Sequence, residues 1–501
     1  MNTSKAFLHS KFKALVVLLF VISACLLFSD NHTLTAAETR TETESESGSG
    51  QKLADEESEL VRIMNLNLRY ILNTWWPSEK DYVYAAATSL QSDQQLTEER
   101  SLAIRNSAEA FADWKNEEIL PILYLSREQA ENGIRPVSHA IYCIGLALYY
   151  DYYDEEIVGV SKEDAEAMCI KLIDSVVEEH RSNHPDDQED CYWGDSWQSP
   201  LWAENIALGA WLLRDQMAPE IYEKVERMVL DEADTLTYDF EIPYYMGEDG
   251  TIVYPGDTKG EELAWRTKIL ALACFMFPDS EKVSDWSDRL ERMLIASTAM
   301  PEDVDSDRVV DGLVVGDLLS GSNVNEDGTV VNHDRVHIDY MATILEEMGD
   351  TVTVFKIADA PVPEAAVFNL DKIYDGLIYV DLGKFDEKLS GRNFYLRDEN
   401  GQPTGETKMP GDNDWGKPGY AIYYLLDVMA DTLELDADVE EAYKGYVWED
   451  LHFKKMREQI YRETDGEITG QFFQPGENYF VSGELFMMHN LTEAYVLKYA
   501  G

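Results

Sequence analysis

The sequence predicts an all-α protein in which buried and amphipathic helices alternate. Three observations carry that prediction. Period-3.6 patterning runs through almost the whole chain, with few convincing strands. The helical segments are of two kinds, one charged and amphipathic, the other apolar on nearly every side. The loops leading into the apolar kind share a preface: Gly and Pro break the chain, then Asp, Asn, Trp, Tyr and His cluster.

The amphipathic segments are roughly 161–182, 218–234, 281–298 and 438–461, with further members near 100–126 and 362–380. The apolar segments are roughly 136–150 (PVSHAIYCIGLALYY), 198–213 (QSPLWAENIALGAWLL), 260–277 (GEELAWRTKILALACFMF), 336–348, 416–430 and 482–498. A helix that is apolar all round is buried all round. Helices that alternate outer and inner around a closed ring produce this distinction, so the expected architecture is an (α/α)6 toroid. Spacing between members is uneven, so the repeat is one of architecture and not of sequence.

In a toroid the inner helices all begin at one end, so their prefaces would line one concave face. These prefaces read CYWGDSWQSPLW (191–202), YPGDTKGEELAW (254–265), NHDRVHIDYM (332–341), MPGDNDWGKPGY (409–420) and QPGENYFVSGE (474–484). Short β-hairpin insertions are expected at EDGTIV (248–253), EDGTVV (326–331) and around RDENGQPTGETK (397–408). In the first two, β-branched residues follow an Asp-Gly turn.

The N-terminus reads as an address. Lys5, Lys11 and Lys13 precede an apolar run from Ala14 to Phe28, and Thr35-Ala36-Ala37 offers a signal-peptidase site, giving a signal peptide over 1–37. Ile22-Ser23-Ala24-Cys25 resembles a lipobox, which makes Cys25 an alternative lipid anchor, although the apolar run continues past it. The protein is therefore expected to be secreted or attached to the cell surface. Residues 38–57 are charged and Gly/Ser-rich, as in a disordered linker. From 58 to 501 the texture is uniformly globular with no second linker, read as a single (α/α)6 toroid domain.

A net charge of −55, from 96 acidic and 41 basic residues spread along the chain, fits adaptation to salt or alkali and disfavours nucleic acid as a partner. The five cysteines show neither metal spacing nor a disulfide framework. No cofactor or metal is expected. The acidic run at 303–307 has Arg308 where a calcium loop needs Gly, and His333 and His337, four residues apart, sit in a loop pattern.

This pattern resembles the six-hairpin carbohydrate-active enzymes, which include glycoside hydrolases and the alginate, hyaluronate and heparinase types of polysaccharide lyase. The resemblance covers roughly residues 60 to 500. It rests on the alternating helices, the Asp-Gly hairpins, the Asn-His pair and the aromatic helix starts. Many such lyases carry a large C-terminal β-sandwich, which this sequence does not show.

A polysaccharide or oligosaccharide is accordingly the expected partner. Trp193, Trp197, Trp202, Trp265 and Trp415, with Gln198, are candidates for sugar binding, since flat rings stack on pyranose faces. Tryptophans at helix starts also pack helix junctions, so each must be weighed singly. For β-elimination on a uronate, Asn332 and Arg335 suit neutralisation of the substrate carboxylate. His333 or His337 suits the base, and Tyr340 the base or the acid. In the lyases that the chain resembles, Asn, His and Tyr do this work. The plainer role for the two histidines is capping of the hairpin and helix start. For hydrolysis, two carboxyl groups must face each other across a glycosidic bond, and Asp195, Asp257, Glu261 and Asp414 are the candidates, with Asp334 and Asp339 nearby. A surface protein that binds glycan without cleaving it is the third reading.

Overall fold

The computed structural model describes residues 45–75, 130–185, 193–194, 198–411, 419–464 and 483–500. Its longer helices are α1 (Ser45–Tyr70), α2 (Ala130–Tyr149), α3 (Lys162–Glu178), α4 (Ser199–Leu212), α5 (Pro219–Asp234) and α6 (Gly260–Met276). They continue as α7 (Val283–Thr298), α8 (Ile338–Ile357), α9 (Leu370–Tyr379), α10 (Tyr420–Thr432), α11 (Gly445–Thr464) and α12 (Gly483–Tyr499). The described residues are mostly helical, as the periodicity predicts.

The two helix kinds differ in burial as they differ in composition. Every residue of α4 from Ser199 to Ala210 is buried, and α6 is enclosed from Gly260 to Ala273 apart from Glu262. By contrast α5 buries only Val225, Met228, Val229, Glu232 and Ala233, a single stripe of its surface. A core helix such as α6 gains roughly 1.5–3 kcal/mol for each large aliphatic side chain it encloses. Truncating fully buried Leu270 to Ala would cost about 2–5 kcal/mol.

Packing follows the same division. The apolar helix α2 packs on α4, α4 on α6, α6 on α8, α8 on α10, α10 on α12, and α12 back on α2. The amphipathic helices lie against these: α3 on α2, α5 on α4 and α6, α7 on α6, α9 on α8 and α11 on α10.

Residues Glu56–Gly501 form one compact unit, and Met1–Asp55 a second, of which only the start of α1 is described. Helix α1 takes in residues 45–57, where composition predicts an irregular linker; the Gln-Lys-Leu-Ala-Asp-Glu-Glu run there consists largely of good helix formers. Buried Asn65 ties α1 to the loop after α2, donating to Tyr152 O (2.8 Å) and accepting from Asp154 N (2.7 Å). The amphipathic helix expected near 100–126 and the signal segment lie outside the described residues.

Strands are short and paired two by two. At 397–408 a hairpin forms as expected, with β1 (Tyr395–Arg397) against β2 (Pro403–Thr407). Before α8, however, Asp327-Gly328 makes only a tight turn, closed by Gly328 N donating to Asn325 O. The true hairpin lies five residues on, pairing Val331–Asn332 with Arg335–Val336 around a His333-Asp334 turn. The Asp-Gly turn at 249–250 brings Met246 opposite Ile252, and the strand Met246–Gly247 pairs with Gly321–Ser322. Asp303, in the acidic run, accepts from Met300 N and Asn369 Nδ2 and braces its loop. No described helix is long and apolar enough to cross a membrane.

Candidate functional site

The His333-Asp334 turn is built against the preference of its residues. His333 (φ 49°) and Asp334 (φ 60°) both occupy the left-handed region, where two-residue hairpin turns favour Asn-Gly. Non-glycine residues held there cost about 1–3 kcal/mol each, and such strain clusters at functional sites. The surroundings enforce it. Asp334 N donates to Gly256 O (3.0 Å) and Thr258 N donates to Val331 O (2.7 Å), so the hairpin is pinned to the loop leading into α6. Gly256, at φ +77°, lies so close that an added Cβ would stand 2.0 Å from Asp334 Oδ1. The loop leading into α10 also approaches, with Gly411 beside the Arg335 guanidinium.

Two groups of predicted residues meet here. In the first, exposed His333 and half-buried Tyr340 form a hydrogen-bonded pair, Tyr340 Oη to His333 Nε2, at 3.1 Å. Fully buried His337 stands behind them, its ring centroid 5.0 Å from Tyr340 and 5.7 Å from His333, edge to face in both cases. Asp339 lies 3.7 Å from His337 Nδ1 and accepts from Tyr423 Oη of α10 (3.2 Å).

The second group is acidic. Asn332 Nδ2 donates to Glu261 Oε1 (3.2 Å) and, more weakly, to Asp257 Oδ1 (3.4 Å). Lys259 Nζ bridges Asp257 Oδ2 and Glu262 Oε1, each at 2.7 Å. Burial lowers the Lys259 pKa, but these two partners outweigh it and hold the value above the usual lysine range. Glu261 is different. It is 2% exposed, Oε2 has no hydrogen-bond partner, and burial, reinforced by the Glu262 charge, pushes its carboxyl well above the usual range. Burial therefore favours the neutral, protonated form of Glu261 beside Asp257.

Some expectations need correction. Asn332 is 5% exposed and its amide is directed inward, so it braces carboxyl groups and does not face a substrate. Trp193, Trp202 and Trp265 are enclosed and offer no face for a sugar to stack on. Trp193 donates from Nε1 to Val176 O (2.8 Å) and packs edge-on against His180, with Trp202 beyond it. These indoles fill helix junctions, the plainer of the two roles open to them. Gln198, at the start of α4, is buried as well. Asp195, Trp197, Asp414 and Trp415 lie outside the described residues.

Sequence reasoning missed a second concentration of charge, deeper between the apolar helices. Lys268 of α6, fully buried, places Nζ 2.6 Å from Asp350 Oδ2, 2.8 Å from Glu347 Oε2 and 3.8 Å from Glu204 Oε2. His489 Nε2 bonds the same Asp350 oxygen at 2.8 Å, and Tyr142 Oη donates to Asp350 Oδ1 at 3.1 Å. Glu346 and Glu493 complete the group. Burial alone would raise Asp350, but His489 and Lys268 hold it well below the carboxylate range. Burial pushes Glu204 up to about 8 and drives Glu346 and Glu493 well above their ordinary value. The signal was present in the sequence. Glu204, Lys268, Glu346, Glu347, Asp350 and Glu493 are charged residues inside helices otherwise apolar on all sides, where a charge has no solvated face to occupy.

Compared with protein-family models, with curated proteins and with solved structures, the chain matches none of them.

Proposed function

We propose that this chain is an exported carbohydrate-active enzyme of the six-hairpin (α/α)6-toroid type, cleaving a uronate-containing glycan by β-elimination. The order in which α2, α4, α6, α8, α10 and α12 pack, returning to α2, supports the toroid reading. The observation that carries the chemistry is the His333–Tyr340 pair, an accessible proton donor and acceptor 3.1 Å apart on a strained hairpin at the start of an apolar helix. In this reading the pair removes the C5 proton of the uronate, and the Tyr340 hydroxyl protonates the departing glycosidic oxygen. Arg335, on the same hairpin, takes the substrate carboxylate in place of Asn332. Buried His337 fixes the Tyr340 ring.

A second reading is favoured by Glu261. A carboxyl held neutral beside Asp257 is the arrangement an acid-assisted glycoside hydrolase needs. Glu261 is 2% exposed behind Asn332, so a glycosidic oxygen reaches it only if the hairpin moves, and elimination is preferred.

The test is a panel of uronate and neutral polysaccharides incubated with the protein in concentrated salt, which screens the repulsion between a −55 chain and an anionic polymer. Elimination creates an unsaturated uronate with strong ultraviolet absorbance, abolished by Tyr340→Phe and His333→Ala. New reducing ends without that absorbance, lost in Glu261→Gln, would establish hydrolysis instead. Binding without any product would make the chain a glycan-binding surface protein.

A further inference from the structure

The buried charge between α6, α8 and α12 has the layout of a cation site. Glu346 and Asp350 stand four residues apart on α8, and His489 and Glu493 stand four apart on α12, so each helix turns one pair of donors to the same side. Helices α8 and α12 pack on each other. Asp350, His489 and Glu493 can each place a ligand atom within 4.8 Å of the other two, and all three residues are buried.

An independent observation points to a missing partner. Glu493 is 0% exposed, yet neither of its carboxylate oxygens has a hydrogen-bond partner; Glu346 accepts from Asn490 Nδ2 at one oxygen and has none at the other. Room is kept for the Glu493 carboxylate by Gly349, where a Cβ would stand 2.2 Å from its Oε1. A carboxylate buried without partners is strongly destabilising, and a bound cation removes that cost. Lys268 faces Asp350, Glu347 and Glu204, which leaves Glu346 and Glu493 without a cation of their own, the place a divalent ion would take.

We infer that Asp350, His489 and Glu493, with Glu346 beside them, bind a divalent transition-metal ion of the Zn²⁺ or Mn²⁺ class. One imidazole nitrogen among carboxylate oxygens suits these ions, whereas Ca²⁺ takes oxygen ligands alone. His489 also has the orienting partner that metal-bound histidines use, because its Nδ1 lies 3.1 Å from His139 Nδ1. With the ion on Nε2, the His489 proton sits on Nδ1 and is donated to His139. This site is separate from the His333 hairpin, and the inference does not depend on the catalytic reading.

The full exported chain is stripped with chelator in concentrated NaCl, which clears exposed carboxylates of divalent ions, then given Zn²⁺ or Mn²⁺ and desalted. Elemental analysis should find a single retained ion per chain. Glu493→Gln should lower the affinity by about 100-fold or more. Glu262→Gln, in the Asp257–Glu261–Glu262 group, should leave it unchanged. Should Glu493→Gln fail to fold, the parent decides the matter, since pulsed EPR of the Mn²⁺ form must show coupling to an imidazole nitrogen. No retained ion, retention unaltered in folded Glu493→Gln, loss in Glu262→Gln, or no nitrogen coupling would each overturn the assignment.

Discussion

Replacing Lys268 with methionine keeps most of the side chain's length and apolar packing but removes the ammonium that Asp350, Glu347 and Glu204 face. Asp350 and Glu204 are 2% exposed or less and Glu347 is 7% exposed, so water cannot take over. Breaking a buried ion pair from one side costs about 3–5 kcal/mol, a large part of the 5–15 kcal/mol that holds a typical domain together. The pH dependence follows from the two shifts. Asp350 is depressed below its ordinary 3.8, so its contribution is present above that value and is lost as pH falls through the lower folded value. Lys268 is raised above 10.5, so its contribution is complete below that value and is lost only at stronger alkali. The part of the penalty owed to Asp350 should therefore be full from about pH 5 to pH 10 and shrink in acid as that carboxylate protonates. The part owed to Glu204, pushed up to about 8, is added only as pH rises through that value. Urea denaturation in constant salt with chelator measures it, with the slope unchanged and the midpoint lowered. Adding Asp350→Asn to the variant should recover part of the loss. A penalty below about 1 kcal/mol at neutral pH, or one as large in acid, would refute the reasoning.

At the hairpin, Tyr340→Phe should lower the rate of unsaturated product formation by roughly 100-fold or more while leaving the melting temperature nearly unchanged, because the half-buried ring stays and the hydroxyl that bonds His333 is removed. Converting His333-Asp334 to Asn-Gly should have the opposite signature. Asn tolerates the left-handed region better than His, and Gly is free in it, so the variant should be more stable by about 1 kcal/mol and inactive, read by thermal melts beside the product assay. Gly256→Ala should destabilise the chain by about 1–3 kcal/mol and impair activity, since both its positive φ and the Asp334 carboxylate oppose a Cβ; an unchanged melting temperature would contradict the close approach.

Legibility differed from element to element. The starts and ends of α4, α6 and α12 fall within a few residues of the patterned segments, because a helix enclosed on all sides leaves an unbroken apolar run. Helix α8 runs well past the expected 348, to Ile357, since Asp350, Thr351 and Thr353 interrupt the apolar pattern with polar residues that are nevertheless buried. The hairpin before α8 was placed five residues early, because Asp327-Gly328 is the stronger local turn signal and His333-Asp334 adopts its turn only under tertiary constraint. Among the site residues, the proximity of His333, His337 and Tyr340 follows from short sequence separation. That Asn332 should reach back to Glu261 depends on how two loops far apart in the chain meet.

Hydrophobic periodicity, a local property, determined that this chain is helical, where its buried helices lie, and that histidine, tyrosine and acidic groups collect at their starts. Burial of individual side chains is not local. Only tertiary packing decided that Trp193 and Trp202 are core, that the Glu261 carboxyl is pushed upward by burial, and that Lys268, Asp350 and His489 share one enclosed charge cluster, because the energy of a ring or a charge is set by what the rest of the chain places around it.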